Sequence, residues 1–186
     1  VLDELPVVRS ERRERALRFP YDLVTVLAMA VAFLAQSAIA QPAASLEIAG
    51  NVAQPQSIAL DEIRKLPAQR FEDARGDGKG GGSPRRYTGV LLRDVLDRAK
   101  PIERAPRGLR KSYIVASASD GYRVVFSWAE LYLSPIGEGV FVVYERDGAP
   151  LSESEGPLAL VSLKDTSPGP RHVKWLKSIE VRAIVE

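Results

Sequence analysis

The first regular pattern of apolar and polar positions begins near residue 45. Leu46 and Ile48 flank Glu47, and Gly50-Asn51 supplies a turn, so the pattern predicts a strand pair over residues 45–60. Asp61 stands where a side chain could cap a short helix over residues 62–66, which Pro67 closes. Residues 68–74 suit another strand. Val90, Leu91, Val95 and Leu96 fall on one helical stripe, with Arg93, Asp94, Asp97 and Arg98 mostly on the other side. That stripe predicts a helix over residues 90–99 with Thr88 as its cap.

The strongest local pattern lies in residues 111–128. Tyr113, Val115 and residues 122–126 are strand-rich, and Asp120-Gly121 sits between them. An Asp-Gly pair suits a type I′ turn, in which both central residues take positive φ. Residues 128–131 read as a helical turn and residues 140–144 as a buried strand. Asp147-Gly148 turns that strand into a short return at residues 149–151. Residues 158–163 form another apolar run, residues 172–176 suggest one helical turn, and residues 178–185 suggest the last strand. Short strands, many turns and few, brief helices predict an α+β, mainly β domain.

Five glycines crowd residues 75–83 without an apolar anchor, which reads as a flexible loop. A phosphate-cradling P-loop needs Gly-Lys-Ser/Thr opening a helix. Here Lys79 is followed by Gly80-Gly81-Gly82 and then Ser83-Pro84, so that reading is set aside.

Residues 1–40 look like an address. Arg9, Arg12, Arg13, Arg15 and Arg18 precede an apolar run over residues 23–35, which ends in Ser37-Ala38-Ile39-Ala40. Basic, apolar, then small residues is the plan of a secretory signal peptide. The expectation is a signal peptide over residues 1–40, a domain over residues 41–186, and a periplasmic or secreted protein with no membrane segment after cleavage. Arg12-Arg13 leaves the twin-arginine route open beside the general one.

Composition narrows the chemistry. Among 186 residues there is no cysteine and one histidine, His172. Disulfides, thiolate zinc sites, iron–sulfur clusters and thiol nucleophiles are excluded, as is any site needing two histidines. The formal net charge of +2 implies no nucleic-acid partner. The acid pairs Asp94/Asp97 and Glu153/Glu155 could suggest a hydrolase. The first pair sits on the predicted helix face and the second in a loop, and neither has a sequence neighbour that would shift its pKa.

Four segments, taken in order, carry a resemblance. They are Tyr87-Thr88-Gly89-Val90-Leu91-Leu92-Arg93-Asp94-Val95-Leu96, then Ser119-Asp120-Gly121-Tyr122. Asp147-Gly148-Ala149-Pro150-Leu151 follows, with Gly156-Pro157-Leu158 close behind. The last is residues 171–181, from Arg171-His172-Val173-Lys174-Trp175 onward. Together they resemble the molybdopterin-binding domain of sulfite-oxidase-type oxidoreductases across essentially all of residues 41–186. The resemblance implies that family's fold, with short helices, and a molybdopterin cofactor. It also implies that the segment before the last strand grips the cofactor through backbone amides and a lysine. By position, the candidate cofactor-binding residues are His172, Val173 and Lys174.

Two departures alter what the resemblance implies. The family's metal ligand is a cysteine, and the corresponding stretch, residues 70–86, has none. Soft sulfur donors suit a soft metal centre, and only Asp73, Asp77 or Ser83 could offer oxygen in its place. The family's arginine after the Pro-Leu of the third segment is here Ala159. The expectation is a molybdopterin-binding domain whose molybdenum site is relaxed or lost, with no metal ligand named. Its partners would be a pterin or small anionic ligand and a periplasmic redox partner. The alternative is a non-catalytic periplasmic binding or accessory module for a small anion or a protein.

Overall fold

The computed structural model describes residues 44–74, 83–104, 106–167 and 169–184. The expected signal peptide and most of the glycine-rich stretch, Asp77 included, lie outside the described residues. Among these, no helix is long and apolar enough to cross a membrane.

Two five-stranded sheets form the frame. The first has the order β2-β1-β10-β5-β6, with β1 (Ser45–Gly50), β2 (Gln56–Ala59), β5 (Ser112–Ala118), β6 (Arg123–Ser127) and β10 (Leu176–Ala183). All its pairings are antiparallel except β1 with β10, where Glu47 faces Ser178 in parallel register. The second contains β3 (Ala68–Asp73), β4 (Arg85–Leu91), β7 (Val140–Arg146), β8 (Ala149–Pro150) and β9 (Ala159–Ser162). Its order is β3-β4-β7-β8, and β9 also pairs with β7.

The main core lies between the sheets. Leu46, Ile48, Ile58, Ile114, Phe126 and Ile179 meet Val90, Val140, Val142 and Leu160 there. The alternation at Leu46 and Ile48 is the buried face that the pattern of β1 predicts. A smaller apolar cluster of Tyr87, Leu91, Phe141, Val143, Ala159 and Val161 packs with Phe71 on the second sheet. Strand β7 serves both clusters, so its residues 140–144 are all buried. That is why this strand reads as a continuous apolar run and not as an alternation.

Among the described residues three short α-helices decorate the sheets: α1 (Leu60–Ile63), α2 (Leu92–Arg98) and α3 (Trp128–Tyr132). Two begin differently from the sequence expectation. Ala59, and not Asp61, is the N-cap of α1. Val90 and Leu91 belong to β4, where they pair with Val142 and Phe141, and Leu91 replaces Thr88 as the cap of α2. Both residues are buried, one in each apolar cluster. Pairing with β7 therefore overrides the helical period. Only α3 has a side-chain cap at its start. Ser127 accepts from Glu130 N at 3.1 Å, and Glu130 Oε2 accepts from Ser127 N at 2.7 Å, a reciprocal capping box.

The turns also differ from expectation. In the β5–β6 hairpin only Gly121 has positive φ, at 91°, and Gly121 N donates to Ala118 O at 3.2 Å. The type I′ signature occurs instead at Asp147 and Gly148, with φ of 54° and 83°, between β7 and β8. The predicted helical turn over residues 172–176 is absent. Val173 instead forms an antiparallel bridge with Leu160.

Candidate functional site

Strands β8 and β9 lie along the same edge of β7. Glu145 pairs with Pro150 and Val143 with Ala159. The chain between them, residues 151–158, is therefore an excursion opposite the single residue Tyr144. Leu151 and Leu158 anchor its ends in the apolar clusters, and it carries Glu155 inward to 2% exposure.

Cross-strand register supplies the facing residues. On the second sheet Asp73 pairs with Arg85, Phe71 with Tyr87, and Tyr87 with Arg146. Residues two apart on a strand share a face, so Asp73, Arg85, Tyr87 and Arg146 form one polar patch beside Phe71. Glu155 meets this patch. Its Oε2 accepts from Arg146 Nη1 at 2.8 Å and its Oε1 from the Tyr87 hydroxyl at 3.4 Å. Burial, and next the charge of Glu155, raises the Tyr87 phenol above its ordinary pKa.

The C-terminal segment reaches the same patch. Arg171 turns away from it, pairing with Asp165 and, at 3.0 Å, with Glu130 while lying 4.4 Å over the Phe126 ring. Trp175 is held in the left-handed region at φ 47°. Its N–H donates to Glu155 O at 2.7 Å, its carbonyl accepts from Ser119 N at 3.0 Å, and its indole Nε1 donates to Glu153 O at 2.9 Å. A bulky residue in this region costs about 1–3 kcal/mol and persists where its surroundings over-determine it.

Between these anchors stand the three candidates. His172 is partly buried, and its Nε2 is buried with no hydrogen-bond partner. Burial lowers its pKa below the ordinary value. Lys174 and Arg85 push in the same direction, against Glu155 and Asp73. Lys174 is exposed, with its charge felt at His172. Val173 is fully buried, and its N–H donates to Leu160 O at 2.9 Å. That amide is engaged within the sheet, so of the three only His172 and Lys174 have polar side chains left to act, and His172 feels the charges of Glu155, Arg85 and Asp73.

The cluster therefore joins Asp73, Arg85, Tyr87, Arg146, Glu155, His172 and Lys174. The resemblance implies His172 and Lys174, Asp73 is expected from the sequence only as an oxygen ligand, and Glu155 stands in a loop whose sequence offers it no partner. Glu155 in fact has two partners. A hollow of about 520 Å³ is lined by Arg70, Glu72, Arg86, Thr88 and Glu145, and also by Phe71, Tyr87, Asp147 and Gly148. Of these, Arg70, Glu72 and Arg86 are exposed. The cluster around the buried Asp73, Tyr87 and Glu155 is the better candidate, because ionisable groups held out of water are costly to keep without a use.

The residues fit one part of a molybdopterin cofactor and not the other. Arg85, Arg146 and Lys174 suit an anionic group. At the end of β3 the side chain is the buried carboxylate of Asp73, at 8% exposure, and no thiolate exists in the chain. Ser83 is exposed. Ala159 is fully buried among Phe141, Val143 and Val161, an apolar setting for the position where the resemblance implies an arginine. Among the described residues no group of three or more His, Asp or Glu side chains could hold a metal ion.

Two sheets with few, short helices match a sulfite-oxidase-type molybdopterin-binding fold. The chain belongs to the family described as the oxidoreductase molybdopterin binding domain, whose model matches residues 35–185. It is 29% identical over 148 residues to a nitrate reductase (NADPH) of Leptosphaeria maculans, covering 74% of this chain and 15% of that protein. A nitrate reductase (NADPH) of Neurospora crassa is 30% identical over 140 residues, with 70% and 14% covered. The chain thus spans about a seventh of the length of these relatives. The fold is also that of the sulfane dehydrogenase SoxCD from Paracoccus pantotrophus. That match has a TM-score of 0.57 and 19% identity, over 74% of this chain and 38% of that one.

Proposed function

We propose that this domain is an exported molybdopterin-type binding domain that takes a pterin phosphate or a comparable small anion and has a relaxed or lost molybdenum site. One observation carries the reading. His172, which the resemblance implies as a cofactor contact together with Lys174, feels the charges of Lys174, of Arg85 and of Asp73 at the end of β3. Guanidinium and ammonium groups make charge-assisted hydrogen bonds to phosphate. The resemblance implies a protein thiolate beside the dithiolene sulfurs on the metal, and this chain has no cysteine to supply it.

The test is protein purified from its own periplasm, with molybdenum measured by mass spectrometry and pterin by fluorescence after denaturation. The expected result is fewer than about one molybdenum per ten chains, an order-of-magnitude threshold set by the missing soft ligand. Stoichiometric molybdenum with sulfite- or sulfoxide-dependent turnover would overturn the reading. A mature N-terminus at Gln41 is the expected mark of export.

The second reading is a non-catalytic periplasmic binding or accessory module for a small anion or a protein partner. The apolar setting of Ala159 favours it. Bound anion without pterin, and no redox turnover, would select it. A redox partner belongs to the first reading only.

A further inference from the structure

The cluster already holds an internal carboxylate. Glu155 is gripped by a guanidinium and a phenol, the same donor types that bind phosphate or sulfate oxygens. Near them the buried His172 Nε2 has no hydrogen-bond partner among the described residues. Buried polar atoms are nearly always partnered, so this nitrogen is suited to an incoming oxygen. We infer that Glu155 is a built-in competitor of the ligand: its carboxylate occupies an oxyanion seat formed by Arg146 and Tyr87, and a phosphate- or sulfate-class dianion binds by displacing it. The inference rests on the reading of this cluster as an anion site.

Charge explains why a competitor is there and what it selects. Arg146 reaches the cluster from β7, Arg85 from β4 and Lys174 from the C-terminal segment, with Asp73 opposite Arg85. A buried carboxylate neutralises part of this positive charge, which would otherwise destabilise the fold. A monoanion returns only the single charge that Glu155 already supplies. A dianion returns more, and its extra oxygens can reach His172 as well.

Local geometry permits the exchange. The N–H groups of Glu155 and Gly156 both donate to Ser152 O, at 2.9 and 3.0 Å, so the turn that carries Glu155 closes on itself. Its ends are anchored by Leu151 and Leu158. Releasing the Glu155 side chain breaks its bonds to Arg146 and Tyr87 and opens no strand pairing.

The test titrates the whole chain with inorganic phosphate by calorimetry, comparing wild type with Glu155→Gln. The ring nitrogens of His172, the sole histidine, are followed by NMR. The expected result is phosphate affinity at least about ten-fold tighter in Glu155→Gln, with His172 signals moving in both proteins and chloride producing neither effect. A second variant, Tyr87→Phe, keeps the Arg146–Glu155 pair and is expected to weaken phosphate several-fold. Equal phosphate affinity in wild type and Glu155→Gln, with His172 responding in both, would overturn the competitor and leave the anion site standing. Loss of phosphate binding and of the His172 response in both proteins would overturn the two together. Should Glu155→Gln fail to fold, unchanged phosphate affinity in Tyr87→Phe counts against the seat.

Discussion

The indole of Trp175 rests on Gly156. A Cβ added at Gly156 would come within 2.5 Å of Trp175 Cδ1 and 2.9 Å of Trp175 Cα. Gly156 also has a φ of 79°. This contact joins the excursion that carries Glu155 to the segment that carries His172 and Lys174. The two halves of the candidate site are therefore seated on each other through a glycine and a tryptophan.

Gly156→Ala is expected to cost about 2–4 kcal/mol, combining the left-handed penalty with overpacking. Gly121→Ala is the control. Gly121 has a φ of 91° and nothing within 4 Å of an added Cβ, so only the backbone term applies, about 1–2 kcal/mol. Urea denaturation of both variants checks the difference. Equal losses would mean that the Trp175 contact carries no weight.

The capping box gives a second expectation. Ser127→Ala removes the acceptor for Glu130 N, and should cost about 1 kcal/mol. Glu130 also pairs with Arg171 at 3.0 Å, so amide exchange should speed up in residues 128–132 and near Arg171 together. A melting curve identical to wild type would remove the cap from the account.

Stability should also depend on pH through His172. Burial lowers its folded pKa below 6.5. As pH falls from 6.5 towards the folded value, the unfolded chain takes up a proton that the folded chain refuses. Stability therefore drops through that window and is level above it. The Glu130 carboxyl behaves differently. Burial raises its pKa, but the Ser127 N–H and Arg171 outweigh burial and bring it below 4.5. Its contribution is lost only at lower pH, as pH falls through its folded value. His172→Gln should flatten the upper window and leave the lower one. Chemical denaturation between pH 7.5 and about 3 separates them, and a His172→Gln profile that still declines in the upper window as steeply as wild type would reject this assignment.

Lys174 supplies a binding expectation. It is exposed, so Lys174→Ala should leave the unfolding free energy within about 0.5 kcal/mol of wild type. Phosphate or pterin affinity should fall about ten-fold, the loss expected for one charge-assisted contact of 1.5–3 kcal/mol after solvent screening. Unchanged affinity would leave Lys174 as a surface residue beside Trp175.

Much of the frame was legible in the chain. The alternation at Leu46 and Ile48, the Asp-Gly hairpin signal, and the apolar run of β7 each correspond to the element they predict, because each is set by local pattern. Helix α2 was misplaced at its start because Val90 and Leu91 satisfy both a helical stripe and a strand buried on two faces. The choice is made by β7, far along the chain. The site was half legible. His172 and Lys174 came from the family resemblance. Glu155 sits in a polar Ser-Glu-Ser-Glu stretch whose composition reads as a solvated loop, and its burial follows from the interrupted edge of β7. The one signal that could have found it is the tight Asp147-Gly148 turn. That turn fixes Arg146 at the end of β7, a short reach from the loop that follows.

Strand β10 lies between β1 and β5, although both precede it in the chain. During synthesis the middle of the first sheet is therefore the last part to leave the ribosome. Until Leu176–Ala183 emerges, β1 and β5 each present an open edge, with Ile48 and Ile114 on strands that lack their central neighbour. Such edges recruit other chains, and long-range closure of this kind is slow. A nonsense mutation close to Leu176 should yield an aggregating fragment, not a smaller folded domain.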